Sequence, residues 1–237
     1  MASLESAKTR SILSTGISTF KGTDTAVALR LRYVGTGTVT SVATITATSV
    51  ETITSDGGTD TYLFSAYTTM GALADAINAA GIFECRVLDV LRSDASDDAL
   101  LAETLTSATT DENGDPVYDV KVDTSGMFYV GACLSGNRGF DGSVKGHRVH
   151  LQGIDYVANM GTAAADQLRV YARDARTQNN ERLVYAALSV DTTATSVTFA
   201  GGFGKISSRD GEELVVRIKD AASMADGGYM KVTGLFE

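Results

Sequence analysis

The chain has 237 residues, a formal net charge of -9, 24 glycines, a single proline and no tryptophan. Its length suffices for one large or two ordinary domains, and its charge excludes a surface built for nucleic acid or anionic lipid, both of which need clustered Lys and Arg. Cys85 and Cys133 are too few for a disulfide framework and lack metal-ligand spacing, so buried free thiols are expected. No apolar run approaches the roughly 20 residues of a membrane helix, and no export signal is recognisable.

Residues 1–25 are rich in Ser, Thr, Gly and Ala and are expected to be an N-terminal arm that orders against a partner. From Ala26 to Val34 the residues Val27, Leu29, Leu31 and Tyr33 alternate with Ala28, Arg30, Arg32 and Val34, which predicts a strand with one apolar face and two cations on the other. A second strand is predicted from Val39 to Thr48, and Val50 to Thr54 continues it or begins a third. Asp56-Gly57-Gly58 is a hairpin signal leading to a returning strand at Tyr62-Leu63-Phe64.

Next comes the stretch around which the chain is organised, Tyr67 to Leu91. Thr68 and Thr69 offer hydroxyls to cap a helix over Met70–Ala80, on which Met70, Leu73, Ala74, Ile77 and Ala80 make one apolar face. Gly81 supplies the left-handed position that ends helices, and the alternation from Phe83 to Val90 predicts a strand. A helix this short draws its stability from packing, so it must lie against a sheet. The run Tyr67-Thr68-Thr69-Met70-Gly71-Ala72-Leu73-Ala74-Asp75-Ala76-Ile77-Asn78-Ala79, with the strand around Phe83-Glu84-Cys85-Arg86-Val87, resembles a threonine, leucine, isoleucine-asparagine segment that recurs in virion proteins of tailed phages. A similar short segment occurs in flagellar hook and filament proteins. The resemblance implies a structural element that lays a small helix across a sheet, with Asn78 as a hydrogen-bonding group at the helix end rather than a reactive one.

Residues 93–116 lose apolar density and gain Asp94, Asp97, Asp98, Glu103, Asp111, Glu112 and Asp115, which marks an acidic linker between an α+β module at 26–92 and a second domain at 117–237. Asp111, Asn113 and Asp115 have the spacing that opens a calcium loop, but Pro116 replaces the required glycine and Val122 the bidentate glutamate. Strands are predicted at Val117–Val122 and Met127–Leu134, joined by a turn at Asp123–Gly126. Ser135 to Gly146 reads as a long exposed glycine-rich loop, a candidate interaction site through Asn137, Arg138, Phe140, Asp141 and Lys145. Beyond Arg148, five short strands at 168–172, 183–188, 196–199, 214–218 and 229–235, punctuated by Gly201-Gly202, Asp210-Gly211 and Asp226-Gly227-Gly228, predict an antiparallel β-sandwich.

Catalytic patterns are poor. If their segment is a strand, His147 and His150 fall on opposite faces; as a helix or loop they could converge, but no third ligand is evident, and no serine sits in a nucleophile elbow. The run Gly201–Ile206 fails as a phosphate loop, with Phe199 where the first glycine belongs and Ile206 where the hydroxyl belongs. A glycosidase carboxylate pair would normally come with aromatic cleft residues, and the chain has no Trp. The expectation is therefore a mainly β, non-enzymatic protein with a small α+β N-terminal module and a C-terminal antiparallel β-sandwich, needing no cofactor or metal. The phage resemblance implies a virion location on the capsid exterior after synthesis in the host cytoplasm. It also implies a decoration or cement role on the major capsid protein or other virion proteins, homo-oligomerisation, and no nucleic-acid or membrane partner. A tail, baseplate or fibre component and a carbohydrate-binding host-recognition module are the alternatives.

Overall fold

The computed structural model describes residues 17–22, 26–35, 42–54, 58–106, 108–110, 116–123, 129–134, 148–157, 168–187, 195–198, 206–219 and 229–236. In chain order the described elements are β1 (Ile17–Gly22), β2 (Val27–Tyr33), β3 (Val42–Ile45), β4 (Ser49–Ile53), β5 (Thr59–Leu63), α1 (Met70–Ala80), β6 (Phe83–Val87), α2 (Ser96–Ala99), β7 (Thr104–Leu105) and β8 (Thr109–Thr110). They continue with β9 (Pro116–Lys121), β10 (Tyr129–Leu134), β11 (Val149–Val157), β12 (Leu168–Asp174), β13 (Arg182–Ala187), β14 (Thr195–Thr198), β15 (Glu212–Lys219) and β16 (Tyr229–Phe236). The fold is mainly β, as the composition predicts, and is built from antiparallel sheets.

Two sheets form the first module, in the orders β6-β2-β9-β8 and β5-β4-β3-β7. Leu29, Leu31, Phe83, Val87 and Val120 share one apolar cluster with Ile45, Val50, Tyr62 and the inner face of α1, all of them buried. The other two sheets, β1-β16-β11-β14 and β10-β15-β12-β13, form the second body. Leu134, Val149, Leu151, Leu168, Val170, Leu214, Val216 and Val232 are buried there and belong to the same contiguous cluster. At Gly234 in β16 an added Cβ would overlap Leu134 Cδ2 of the facing sheet and lie 3.0 Å from His150 O on the neighbouring strand β11, so a side chain here would force Leu134 to move.

This topology redraws the expected boundaries. β9, expected to open the sandwich, pairs with β2 instead (Leu29↔Val120, Arg30↔Asp119, Leu31↔Tyr118). The acidic stretch at 93–116 is not a linker either, because β7 extends the sheet of β3 and β8 the sheet of β9. Strands β9 and β10 lie in different sheets, so the turn expected at 123–126 does not join a hairpin. Residues 17–22 of the expected arm form β1, paired from Ile17↔Gly234 to Gly22↔Tyr229 along β16. The module at 26–123 is thus inserted between the first and second strands of the sandwich. Local sequence does not register this, because β1 pairs with residues more than 200 positions away and β9 with the strand at the other end of the module, and strand pairing is decided by non-local contact.

Two local expectations also change. The strand expected over Val39–Thr48 ends at Ile45, because Thr46 Oγ1 accepts from the backbone N–H groups of Thr48 (3.2 Å) and Ser49 (3.0 Å) and so closes a tight hydroxyl turn before β4. β11 was not among the predicted strands. Gly153 interrupts its alternation, and its pairing with β16 shifts register between Leu151 and Gly153, the mark of a β-bulge.

Candidate functional site

The helix–strand unit folds as its residues predict. Thr69 has extended backbone (φ -124°) and its hydroxyl accepts from Ala72 N, while Gly81 closes the helix in the left-handed region (φ 72°). The remaining N-terminal donors of α1 are met by the chain that follows β6: Met70 N donates to Asp94 O (2.9 Å) and Gly71 N to Arg92 O (2.8 Å). Gly71 permits that contact, since a Cβ there would sit 3.1 Å from both Cβ and O of Arg92. Asn78 then ties the helix to the strand. Its Nδ2 donates to Cys85 O (3.0 Å) and its Oδ1 accepts from Cys85 N (2.8 Å). The side-chain amide thereby replaces a neighbouring strand along the outer edge of β6.

Two residues further along the same edge, Gln178 does the same for Val87. Its Oε1 accepts from Val87 N at 2.8 Å, and its Nε2 donates to Val87 O. Gln178 comes from the β12–β13 connection of the sandwich, so this amide joins the two bodies. It is buried (2% exposed) and held at φ 61°, a left-handed conformation uncommon for a residue with a Cβ.

Around this contact lies a buried polar hub. The guanidinium of Arg173, with no solvent exposure, donates to Glu213 Oε1 (2.6 Å), Val90 O (2.9 Å), Val87 O (2.8 Å) and Leu88 O (2.8 Å). Burial works against its charge, but the adjoining Glu213 carboxylate, Cys133 and Glu181 outweigh that and hold its pKa above the ordinary arginine value. Asp89, equally buried, accepts from Val27 N of the module (2.9 Å) and Cys133 N of the sandwich (2.8 Å). Further out, Arg86 donates to Ala175 O (2.8 Å), Arg92 N to Glu181 Oε1 (2.6 Å) and Arg217 to Asp94 Oδ1 (3.0 Å). Burial pushes the Asp94 carboxyl up, against the opposing pull of Arg217 and of the Leu91 amide. Leu91, Cys133 and Val215 form a small apolar cluster beside the hub, with Tyr171 packed on it.

The hub also accounts for the run Leu214-Val215-Val216. Leu214 and Val216 belong to the main core and Val215 to the cluster with Leu91, so this strand is buried on both faces. Its flanking charges, Glu213 and Arg217, point to partners in the hub rather than to solvent. Similarly Arg30, one of the two cations on the face of β2 opposite its apolar side chains, is 8% exposed and makes a two-pronged bond to Asp119 at 2.7 and 2.8 Å.

The residues singled out from sequence as an interaction loop, Asn137, Arg138, Phe140, Asp141 and Lys145, lie outside the described residues, as do Asp111, Asn113, Asp115, His147 and 199–205. Val122, at the calcium-glutamate position, is buried. His150 Nδ1 lies 2.7 Å from Ser207 Oγ. Cys85 and Cys133 are both free and buried, and burial drives the Cys85 thiol pKa well up, which removes the thiolate a reactive cysteine needs. Among the described residues no three His, Cys, Asp or Glu side chains are grouped to hold a metal ion, and no helix is long and apolar enough to cross a membrane. Arg173, Gln178, Asp89 and Glu213 were not read from the sequence. The signal that comes nearest is the placement of Glu213 and Arg217 on either side of an unbroken apolar triplet.

No family model matches this chain, and no curated protein matches it. A solved structure described as manganese lipoxygenase of Gaeumannomyces graminis with partial zonadhesin of Komagataella pastoris aligns at 11% identity and a TM-score of 0.16, over 94% of this chain and 76% of that one. A likeness at that level carries no argument about fold or activity.

Proposed function

We propose that this chain is a non-enzymatic structural protein of a tailed-phage virion, acting on the head exterior as a decoration or cement protein. The observation that supports this reading is the Thr69–Asn78–Cys85 fixture. The segment that resembles the phage element forms a capped helix laid against β6, and its Asn78 engages only backbone, at 2.8 and 3.0 Å. In that role its polar residues position a helix rather than carry chemistry. Arg173 is likewise engaged with backbone carbonyls and Glu213, and Asp89 with the backbone N–H groups of Val27 and Cys133, which suits a rigid building block of a shell.

The mechanism is mechanical. A protein that binds assembled capsid subunits but not separated ones stabilises the assembly by mass action, and each contact of ordinary interface size adds to the free energy needed to open the shell. The partners are the major capsid protein and further copies of this chain. The test adds purified protein to heads that lack it. Saturable binding together with a higher temperature of head disruption is expected; absence of both overturns the reading.

A further inference from the structure

We infer that β13 is the surface through which two copies of this chain associate, pairing antiparallel about a two-fold axis so that the sheet β10-β15-β12-β13 continues into its counterpart. This inference does not rest on the virion reading. It starts from how the strand edges are treated. The outer edge of β6 is met by Asn78 and Gln178, and β10 is met by Asp89, which accepts from Cys133 N. β5 carries Asp60 and β1 carries Lys21, charges that oppose pairing of an edge with its own copy. β7, β8 and β14 have only two, two and four residues.

β13 is built differently. Among the described residues it is the last strand of its sheet. It is six residues long, without proline or glycine, and its one charge, Arg182, is paired with Glu212 at 2.6 Å. Glu181, just before it, accepts from Arg92 N and Ser93 Oγ. Leu183 is 52% exposed, more than any other large apolar residue described, while Val184 and Tyr185 pack on the core. Against β12, Leu183 stands opposite Tyr171, Tyr185 opposite Val170 and Ala186 opposite Arg169, so Val184 is the extra residue of a bulge. The bulge cancels the alternation between 183 and 186 and puts both on the face that carries Tyr171, where both are exposed. A two-fold axis at the Val184–Tyr185 bond sets Leu183 of one copy opposite Ala186 of the other, twice over. Large meets small, and no unpaired charge is buried. The occupant is a second copy because the edge is neutral within a chain of net charge -9. A basic partner finds no carboxylate here to pair with, whereas two like-charged molecules meet with least repulsion at a neutral edge, the remainder being screened over about 8 Å at physiological salt. A contact of one strand pair is smaller than a standard interface, so the association is weak and reversible.

Sedimentation of the full chain over a micromolar concentration series tests this. The wild-type protein is expected to shift from 24.8 kDa toward twice that mass, and to do so at lower concentration when salt is raised. A monomer throughout overturns the inference, as does a dimer that added salt dissociates. Leu183→Lys is expected to stay monomeric over the whole series with its urea midpoint unchanged, since that side chain is half in solvent; dimerisation equal to wild type overturns the inference. Cysteine pairs read the register. Cys85 and Cys133 are buried, so Leu183→Cys and Ala186→Cys each supply one exposed thiol. Mixed and treated with oxidised glutathione, the two variants are expected to form a disulfide-linked dimer, because opposed residues of an antiparallel pair have Cα atoms about 4.5–5.5 Å apart. Either variant by itself places its thiols three residues out of register, about 10 Å apart, and is expected to link at least about tenfold more slowly. Equal linking by Leu183→Cys alone overturns the pairing.

Discussion

Gln178 occupies both backbone hydrogen-bonding groups of Val87, accepting its N–H at 2.8 Å and donating to its carbonyl, from a left-handed backbone at φ 61°. With Asn78 on Cys85, side-chain amides take the outward backbone groups of both Cys85 and Val87 along the outer edge of β6. A strand edge left open is a template for unwanted pairing, and here two amides close it while fixing α1 on one side and the sandwich on the other.

Gln178→Ala leaves the buried Val87 N–H without its acceptor, and about 1–3 kcal/mol of stability should be lost. Gln178→Gly relaxes the left-handed backbone but cannot restore the amide contacts, so it should remain less stable than wild type. Urea denaturation of the three proteins gives the order; a glycine variant equal to wild type would show that the amide contributes nothing.

The Arg173–Glu213 pair should show strong coupling. Arg173→Met leaves the Glu213 carboxylate buried and unpaired, with an expected loss of about 3–5 kcal/mol. Glu213→Leu combined with Arg173→Met removes both charges and should recover part of that loss. A double-mutant cycle by chemical denaturation measures the coupling, and strictly additive effects would contradict the geometry.

At the helix, Asn78→Asp is the informative change. It keeps the acceptor for Cys85 N but replaces the donor to Cys85 O by a second oxygen, so it should cost at least as much as Asn78→Ala, in the range of about 1–3 kcal/mol. Thr69→Ala removes only the N-cap, worth about 1 kcal/mol. Thermal unfolding of the three variants should rank Thr69→Ala as the mildest.

Acid sensitivity should trace partly to Asp174. Burial raises its carboxyl pKa, but hydrogen bonds from the Thr177 amide and hydroxyl and from the Arg176 amide outweigh that, and its net pKa is lowered from 3.8. A lowered folded value means stabilisation that is complete above the unfolded value and is lost as pH falls through the folded one. Asp94 has the opposite sign: with its pKa raised by burial, its contribution is complete below the unfolded value and is lost as pH rises through the folded one. Asp174→Asn, which keeps an acceptor oxygen, should therefore flatten the acid limb of a stability–pH profile. An unchanged limb would remove Asp174 as a source of it.

Truncation separates an arm from a strand. Deleting residues 1–22 removes β1 from the edge of β16 and should lower the midpoint of denaturation of the isolated protein. Deleting 1–16 leaves β1 in place and should lower it less. Equal midpoints for the two truncated proteins would mean that β1 contributes no stability to the sandwich.

What the sequence by itself determined is local and periodic. The mainly β class follows from β-branched and turn residues. Thr69, the apolar stripe of α1 and Gly81 specify their helix, because caps and spacing act within a few residues of the chain. The free buried thiols follow from there being too few cysteines for a disulfide framework. Only the tertiary structure decided which strands are neighbours, that the module is an insertion, and that Arg173, Asp89, Gln178 and Glu213 are buried. In sequence these four are ordinary polar residues of strands and loops, which on their own face water. Their burial depends on one body covering an outer sheet face of the other, and their partners lie more than 40 residues away for Asp89 with Cys133 and more than 80 for Arg173 with Val87. Periodicity shows that a strand has two faces; what covers the second is settled by long-range packing, where a charge is retained only if partners such as the carbonyls of 87–90 meet it.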